Sequence, residues 1–529
     1  MSAFSRRSFL LTAAAGASLS VLPRQVRADT GAMQVRATSR VIDVNGKAAD
    51  VLGLLQPNGT HGLVAEAGKR FHLQLVNELD EHTLVHWHGL TPPSEQDGVP
   101  DLSQPALQGG GNYEYDFALA RPGTNWMHSH VGLQEQQLLA APLIVRDPAE
   151  AGLDEQEVVI LLHDFTFRNP AEIFAELTGG MAGMDHGAAA PAAGGMTGMD
   201  NSAMGDSATA PPAGDMAGMD HSAMGDSATA PSAGGTAGMD HGSMGSGAAA
   251  APPAPAPPHL NDIEFDAYLA NDRTLNDPEV VRVETGGRVR LRIINAAAAT
   301  NFWLDLGMLT GDLVATDGHA IKPVRGSRFP LAIAQRADIR LQLPAGAGAY
   351  PILAVREGDT PRTGIVLATA GASVARIPDR AKAPTGPVGL ELERRLVAAG
   401  DPLGIGAGWP VRRHVVELTG DMMAFVWGFN GRRFGESTPL PIRQGERVEI
   451  ALVNRTDMSH PVHLHGHPFQ VTAIDNIPLN GALRDTVLVP IGGSVTIAFN
   501  ADNPGHWALH CHNLYHMAAG MMTSVKYEA

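Results

Sequence analysis

The sequence predicts an all-β chain of three sandwich-type domains. A strand pattern occurs three times, short apolar runs end at glycine and proline turns, and no sustained helical periodicity interrupts them. The repeats are "GKRFHLQLVN" ending at Asn77, "GGRVRLRIIN" ending at Asn295 and "GERVEIALVN" ending at Asn454. Each is a glycine turn, a basic residue and a β-type apolar run closed by asparagine. A second echo joins "RPGTNWMHSH" (121–130) to "NPGHWALHCH" (503–512), which makes the first and last domains relatives and the middle one a plainer copy. The expected boundaries are 30–150, 259–375 and 390–529. At 529 residues and 44% hydrophobic content, the chain carries enough apolar material for several cores.

Ahead of the first domain, "SRRSFLLTAAAGASLSVLP" sets Arg6 and Arg7 before a short apolar run, and "VRA" at 26–28 offers a small-residue cleavage site. Residues 1–28 therefore read as a twin-arginine export signal. The run from Phe9 to Leu22 is too short for an ordinary membrane span. Losing the four arginines of this segment takes the formal charge from −17 to −21, a surface that excludes nucleic acid and acidic lipid as partners. The expectation is a periplasmic monomer, exported by the twin-arginine machinery, with no stable membrane span.

Between the first two domains, residues 177–258 are rich in Gly, Ala, Pro and Ser and are expected to be disordered, because they cannot bury enough apolar surface to offset chain entropy. Ten of the 20 methionines fall between Met181 and Met244, in near repeats such as "GMDHSAMGDSATAP". Thioether sulfur favours Cu(I), and neighbouring Asp and His also hold Cu(II). The candidate ligands are Met184, His186, Met199, Met204, Met219, His221, Met224, Met239, His241 and Met244. A flexible linker needs no methionine, and exposing it invites oxidation.

Four histidine clusters carry the chemistry: "HWHG" (His86, His88), "HSH" (His128, His130), "HPVHLHGH" (His460, His463, His465) and "HCHNLYHMAAGM" (His510, Cys511, His512, His516, Met521). Side chains alternate along a strand, so an H-x-H pair points both imidazoles one way. His510 and His512 then share a face while Cys511, the only cysteine, points to the other. One group is Cys511, His460 and His516 with Met521 as a weak fourth ligand; two histidines, a thiolate and a distant methionine describe a blue copper centre. The other is His86, His88, His128, His130, His463, His465, His510 and His512, and eight imidazoles suit three coppers. Structural zinc would use four closed ligands, often with more thiolates.

On these motifs the chain resembles a three-domain bacterial multicopper oxidase of the periplasmic copper-resistance and laccase-like branch. The resemblance implies three cupredoxin-like Greek-key β-barrel or sandwich domains. It places type 1 copper in the last, a trinuclear cluster between the first and last, and a copper-free middle domain. It implies four coppers per monomer: type 1 on His460, Cys511, His516 and axial Met521; type 2 on His86 and His463; and type 3 on His88, His128, His512 and on His130, His465, His510. Electrons would enter at type 1 copper, pass along Cys511 and its flanking histidines, and reduce O2 to water. Asp97 in "EQDGVP" resembles an acid that some members place near the cluster as proton donor; its other reading is an Asp-Gly turn. Some relatives carry an acid where this chain has Tyr515.

Cu(I) and small phenols compete as the reducing substrate. The methionine-rich insert favours Cu(I), and "RTDMSHP" puts Asp457 and Met458 where some cuprous oxidases resemble it in having an outer copper site. Laccase-type phenol oxidation is the alternative, and a non-enzymatic copper-sequestering role is a third.

Overall fold

The asparagine that closes each repeat has the same job three times. Asn77 Nδ2 donates to the carbonyls of Glu81 (2.8 Å) and Leu107 (2.9 Å), and its Oδ1 accepts from Leu79 N (3.0 Å). Asn295 binds Thr300 O (3.0 Å), Leu331 O (3.1 Å) and Ala297 N (3.1 Å). Asn454 binds Met458 O (2.6 Å), Val489 O (3.1 Å) and Thr456 N (2.9 Å). A buried amide thus satisfies backbone groups that the ending ladder leaves unpaired, and it pins the following loop to the strand.

The computed structural model describes residues 32–179, 260–400 and 409–528. The expected export signal and all ten candidate ligands of the insert lie outside these residues. Among the described residues, no helix is long and apolar enough to cross a membrane.

The first domain pairs two four-stranded sheets. One runs Lys47–Leu55, Met33–Val44, Arg70–Asn77, Asn112–Ala118, and the other Leu63–Glu66, Ala140–Arg146, Gly123–Ser129, Val85–His86. In Arg70–Asn77, Phe71, Leu73 and Leu75 are fully buried and alternate with less buried residues. This period of two marks a strand covered on one face, each such side chain contributing about 1.5–3 kcal/mol on burial. The last domain repeats the design: Val448, Ile450 and Leu452 of Arg447–Asn454 face its core.

The middle domain has a six-stranded and a five-stranded sheet, and the six-stranded one includes Gln156–Phe165 between Ala267–Ala270 and Arg288–Asn295. The range 259–375 expected from sequence therefore omits one of its strands. The helix Pro170–Gly179 likewise takes in the first three residues of the expected insert. Ile173 of this helix is buried in the last domain's core, together with Ile263, Ala298 and Ala299.

Candidate metal centre

Strand pairing assembles the histidines. His86 pairs with His128 across the first domain's ladder, and in the last domain His463 faces His510 while Val462 faces Cys511. Alternation then turns Cys511 into the last domain and its two neighbours toward the first. Three histidine triples result, His86–His88–His463, His88–His128–His512 and His130–His465–His510, each with ligand atoms within 4.8 Å of one another. A fourth group under the same limit is His460–Cys511–His516. All of these side chains are buried.

Hydrogen bonds fix which ring nitrogen carries the proton. His86 Nδ1 donates to Asp97 O (2.8 Å), His463 Nδ1 to Asp485 O (2.7 Å), His510 Nδ1 to Cys511 O (3.0 Å) and His128 Nδ1 to Ser129 O (3.0 Å). Carboxylates take the others: His465 Nδ1 donates to Asp97 Oδ2 (2.8 Å) and His88 Nε2 to Asp485 Oδ1 (3.1 Å). The free nitrogens then face one another as lone pairs. His465 Nε2 and His510 Nε2 are 3.0 Å apart, His86 Nε2 and His463 Nε2 3.5 Å, and His88 Nδ1 and His128 Nε2 3.4 Å. The Nε2 atoms of His130 and His512 are buried without a hydrogen-bond partner.

The cysteine site follows the same rule. His516 Nε2 donates to Asp262 Oδ2 (2.9 Å). The Thr456 hydroxyl lies 2.8 Å from Asn454 Oδ1, which only accepts, so its oxygen receives the proton of His460 Nε2 at 2.6 Å. The two Nδ1 atoms are left 3.2 Å apart, and Cys511 Sγ lies 3.6 Å from one and 3.8 Å from the other. Met521 is fully buried; its carbonyl accepts from Cys511 N (3.0 Å) and its N–H donates to His516 O (2.9 Å), closing the ligand loop.

Electrostatics agree with a cation-binding role. Burial lowers the pKa of His88, His128, His130, His460, His463, His465 and His512 well below the usual histidine value, and His510 to about 3. The rings are neutral, with lone pairs available. Burial pushes the Cys511 thiol far up, so a bound cation is needed to hold it as thiolate. Facing lone pairs in a dry site repel unless a cation sits between them, and borderline-soft nitrogen and sulfur donors suit copper. The residues present therefore fit the group that the motifs imply. Trp126 stacks on His128 (centroids 4.3 Å) and Trp427 packs on His516 (4.2 Å), walling both sites from water.

Asp97 is fully buried, gripping His465 with its carboxylate and His86 with its carbonyl. Of the two residues expected to form an outer copper site, Asp457 is exposed, whereas Met458 is 3% exposed in the last domain's core. Met458→Ala should therefore cost about 2–5 kcal/mol of stability, as a cavity mutation does. Thermal unfolding reads that loss, and copper and phenol oxidation per folded molecule should keep their ratio.

Sequence reasoning missed Asp485, Asp262 and Glu135. Glu135 is 2% exposed and its Oε2 lies 3.0 Å from His128 Nδ1; burial, then the nearby Asp164 charge, raises its pKa well above the ordinary carboxyl value. Tyr515, where an acid was considered, is buried and its hydroxyl donates to Gln136 Oε1 (3.3 Å). The middle domain also reaches this region, with its Arg336 fully buried against Asp485.

Three multicopper oxidase family models match residues 36–150, 156–372 and 410–529. "Multicopper oxidase MmcO" of Mycobacterium tuberculosis is 30% identical over 88% of this chain and 80% of its own length. "Copper resistance protein A" of Escherichia coli is 27% identical over 87% of this chain and 86% of its own. The crystal structure of a multi-copper oxidase from Pseudomonas Thermotolerans superposes with a TM-score of 0.63 at 21% identity, covering 94% of this chain and 99% of that one, a likeness of fold. With its three cupredoxin domains, its facing imidazoles and its single buried thiol, the chain belongs to the multicopper oxidase family, oxygen-dependent oxidoreductases that use copper.

Proposed function

We propose that this enzyme is a periplasmic cuprous oxidase that converts Cu(I) to Cu(II), serving copper tolerance, and reduces O2 to water. The carrying observation is the set of imidazole lone pairs facing one another at 3.0–3.5 Å around a buried thiol. Four coppers would be held by these donors: type 1 by His460, Cys511 and His516 with Met521 as a weak fourth ligand; type 2 by His86 and His463; type 3 by His88, His128, His512 and by His130, His465, His510. When bound, copper supplies one-electron oxidation at the thiolate site and four-electron oxygen reduction at the histidine cluster. Asp97 is the acid that serves the cluster with protons, from its position against His86 and His465. The twin-arginine signal provides the route of export.

Three facts support Cu(I) as substrate. One relative is named copper resistance protein A. The insert is rich in soft thioether donors. Its described flanks reach the thiolate site: Ile173 is buried in the last domain's core, and Asp262 accepts from His516 Nε2 at 2.9 Å. Deleting residues 181–247 should lower Cu(I) oxidation about tenfold, a loss of about 1.4 kcal/mol of barrier advantage, and leave phenol oxidation within about twofold. Parallel assays of oxygen uptake test this. Equal loss of both activities would give the insert a folding role instead.

A further inference from the structure

The middle domain holds no candidate copper ligand, yet besides the Asp262 contact to His516 it grips the last domain at a three-residue segment, Arg484–Asp485–Thr486. That segment fixes two imidazoles from different domains. The Asp485 carbonyl accepts from His463 Nδ1 (2.7 Å), and its Oδ1 accepts from His88 Nε2 (3.1 Å). Thr486 Oγ1 lies 3.2 Å from His463 Nδ1 and 3.3 Å from His88 Nε2, and donates to Asp485 Oδ1 at 3.0 Å.

Strand pairing to His463 and Phe469 holds this segment within the last domain, and the middle domain adds a set of side-chain contacts to it. The Arg336 guanidinium forks onto both carboxylate oxygens of Asp485, its Nη1 at 2.7 Å from Oδ1 and its Nη2 against Oδ2. Gln335 Nε2 donates to Thr486 O (3.2 Å), and Asp317 Oδ2 accepts from the backbone N–H groups of Asp485 and Thr486, both at 3.4 Å. Arg336 is held in turn: its Nε donates to Thr124 O (3.1 Å) on the strand that carries His128, and its Nη1 to Ala334 O (3.1 Å). All three domains meet on this one fully buried side chain.

The backbone beside Arg336 is strained at one position. Ala334 (φ 67°), whose carbonyl accepts from Arg336 Nη1, occupies the left-handed region, which is unfavourable for a residue with a Cβ, whereas the positive φ of Asp317 belongs to an ordinary Asp-Gly hairpin turn. Such strain persists where surrounding contacts over-determine it, and it collects at functional sites. A simple domain interface needs neither this strain nor a buried guanidinium aimed at the residue that orients His88 and His463.

We infer that Arg336 is a positioning residue for the histidine cluster: through Asp485 it sets the tautomer and orientation of His88 and His463, so the middle domain controls copper binding at a site it does not ligate. This rests on the copper assignment of His86, His88 and His463 proposed above. Partners of metal-bound histidines are worth about 10- to 100-fold in metal affinity. Lysine keeps the charge of Arg336 but cannot form the planar fork while also reaching Thr124 O and Ala334 O.

The test is copper titration of the full-length apoprotein and of Arg336→Lys, followed by metal analysis, electron paramagnetic resonance of the non-blue copper and absorbance of the blue copper. The expected result is a copper affinity at the histidine cluster lower by about 10- to 100-fold, with the non-blue signal altered and the blue absorbance per folded molecule kept. Unchanged affinity and signal in folded Arg336→Lys would overturn the proposal, and so would a parallel loss of both copper signals, which marks a structural role only. If Arg336→Lys does not fold, the shape-preserving Asp485→Asn decides by the same readouts, with selective loss expected and no change overturning. Wild-type protein titrated alongside separates the two claims, because absence of non-blue copper there would defeat the ligand assignment and not the positioning role.

Discussion

Cys511→Ser should abolish the blue absorption and lower oxidase turnover by more than about a thousandfold, equivalent to about 4 kcal/mol of barrier. Cys511 is the only thiol in the chain, fully buried, with Sγ 3.6 and 3.8 Å from the unprotonated Nδ1 atoms of His460 and His516. A thiolate is a soft, polarisable donor; a serine hydroxyl is hard and keeps its proton far more tightly. The substitution nearly preserves volume and leaves one buried hydroxyl, a cost of about 1–3 kcal/mol, so the domain should still fold. His510 and His512 flank Cys511 directly and belong to the histidine cluster, so the cysteine also links the two sites in one tripeptide. Copper content of the variant separates the effects: the cluster should load while the thiolate site loses its colour. Turnover retained in a colourless variant would refute the assignment.

Gly98→Ala should act on stability and on the copper cluster together. Gly98 has φ +85°, and a Cβ there would lie 1.9 Å from Val85 O and 2.9 Å from His86 Cα. Neither atom belongs to a flexible side chain, so backbone must move. The left-handed conformation costs an alanine about 1–2 kcal/mol, and overpacking adds about 1–3 kcal/mol. The expected destabilisation is about 2–5 kcal/mol by denaturant unfolding of the apoprotein, which places the effect before any copper binds. Because Asp97 holds His86 and His465, the shift should also weaken copper loading of the cluster. In "EQDGVP" the glycine turns the chain tightly, and the aspartate before it grips two histidines, which sets it beside the cluster it is proposed to serve with protons.

What was legible in the sequence was local and periodic. Two-residue alternation put His510 and His512 on one face and Cys511 on the other, and the repeated asparagine marked equivalent strands in all three domains. The supporting acids were not legible. Asp485 lies 20 residues beyond His465, Asp262 belongs to the middle domain, and neither sits in a motif. Their roles arise from domain packing, which has no sequence period. Arg336 was hidden for the same reason, inside a domain read as a plainer, copper-free copy. The strand Gln156–Phe165 was assigned to no domain because its partners, Ala267–Ala270 and Arg288–Asn295, lie beyond the insert.

The measurement that most directly tests the account is oxygen uptake by the copper-loaded mature protein, supplied in parallel with Cu(I) and with dimethoxyphenol. A copper-tolerance oxidase should consume one O2 for every four Cu(I) ions, release no peroxide, and oxidise Cu(I) faster than the phenol. A faster rate with the phenol would contradict the substrate assignment and make the protein a laccase, and no uptake with either donor would contradict the oxidase reading of the whole site.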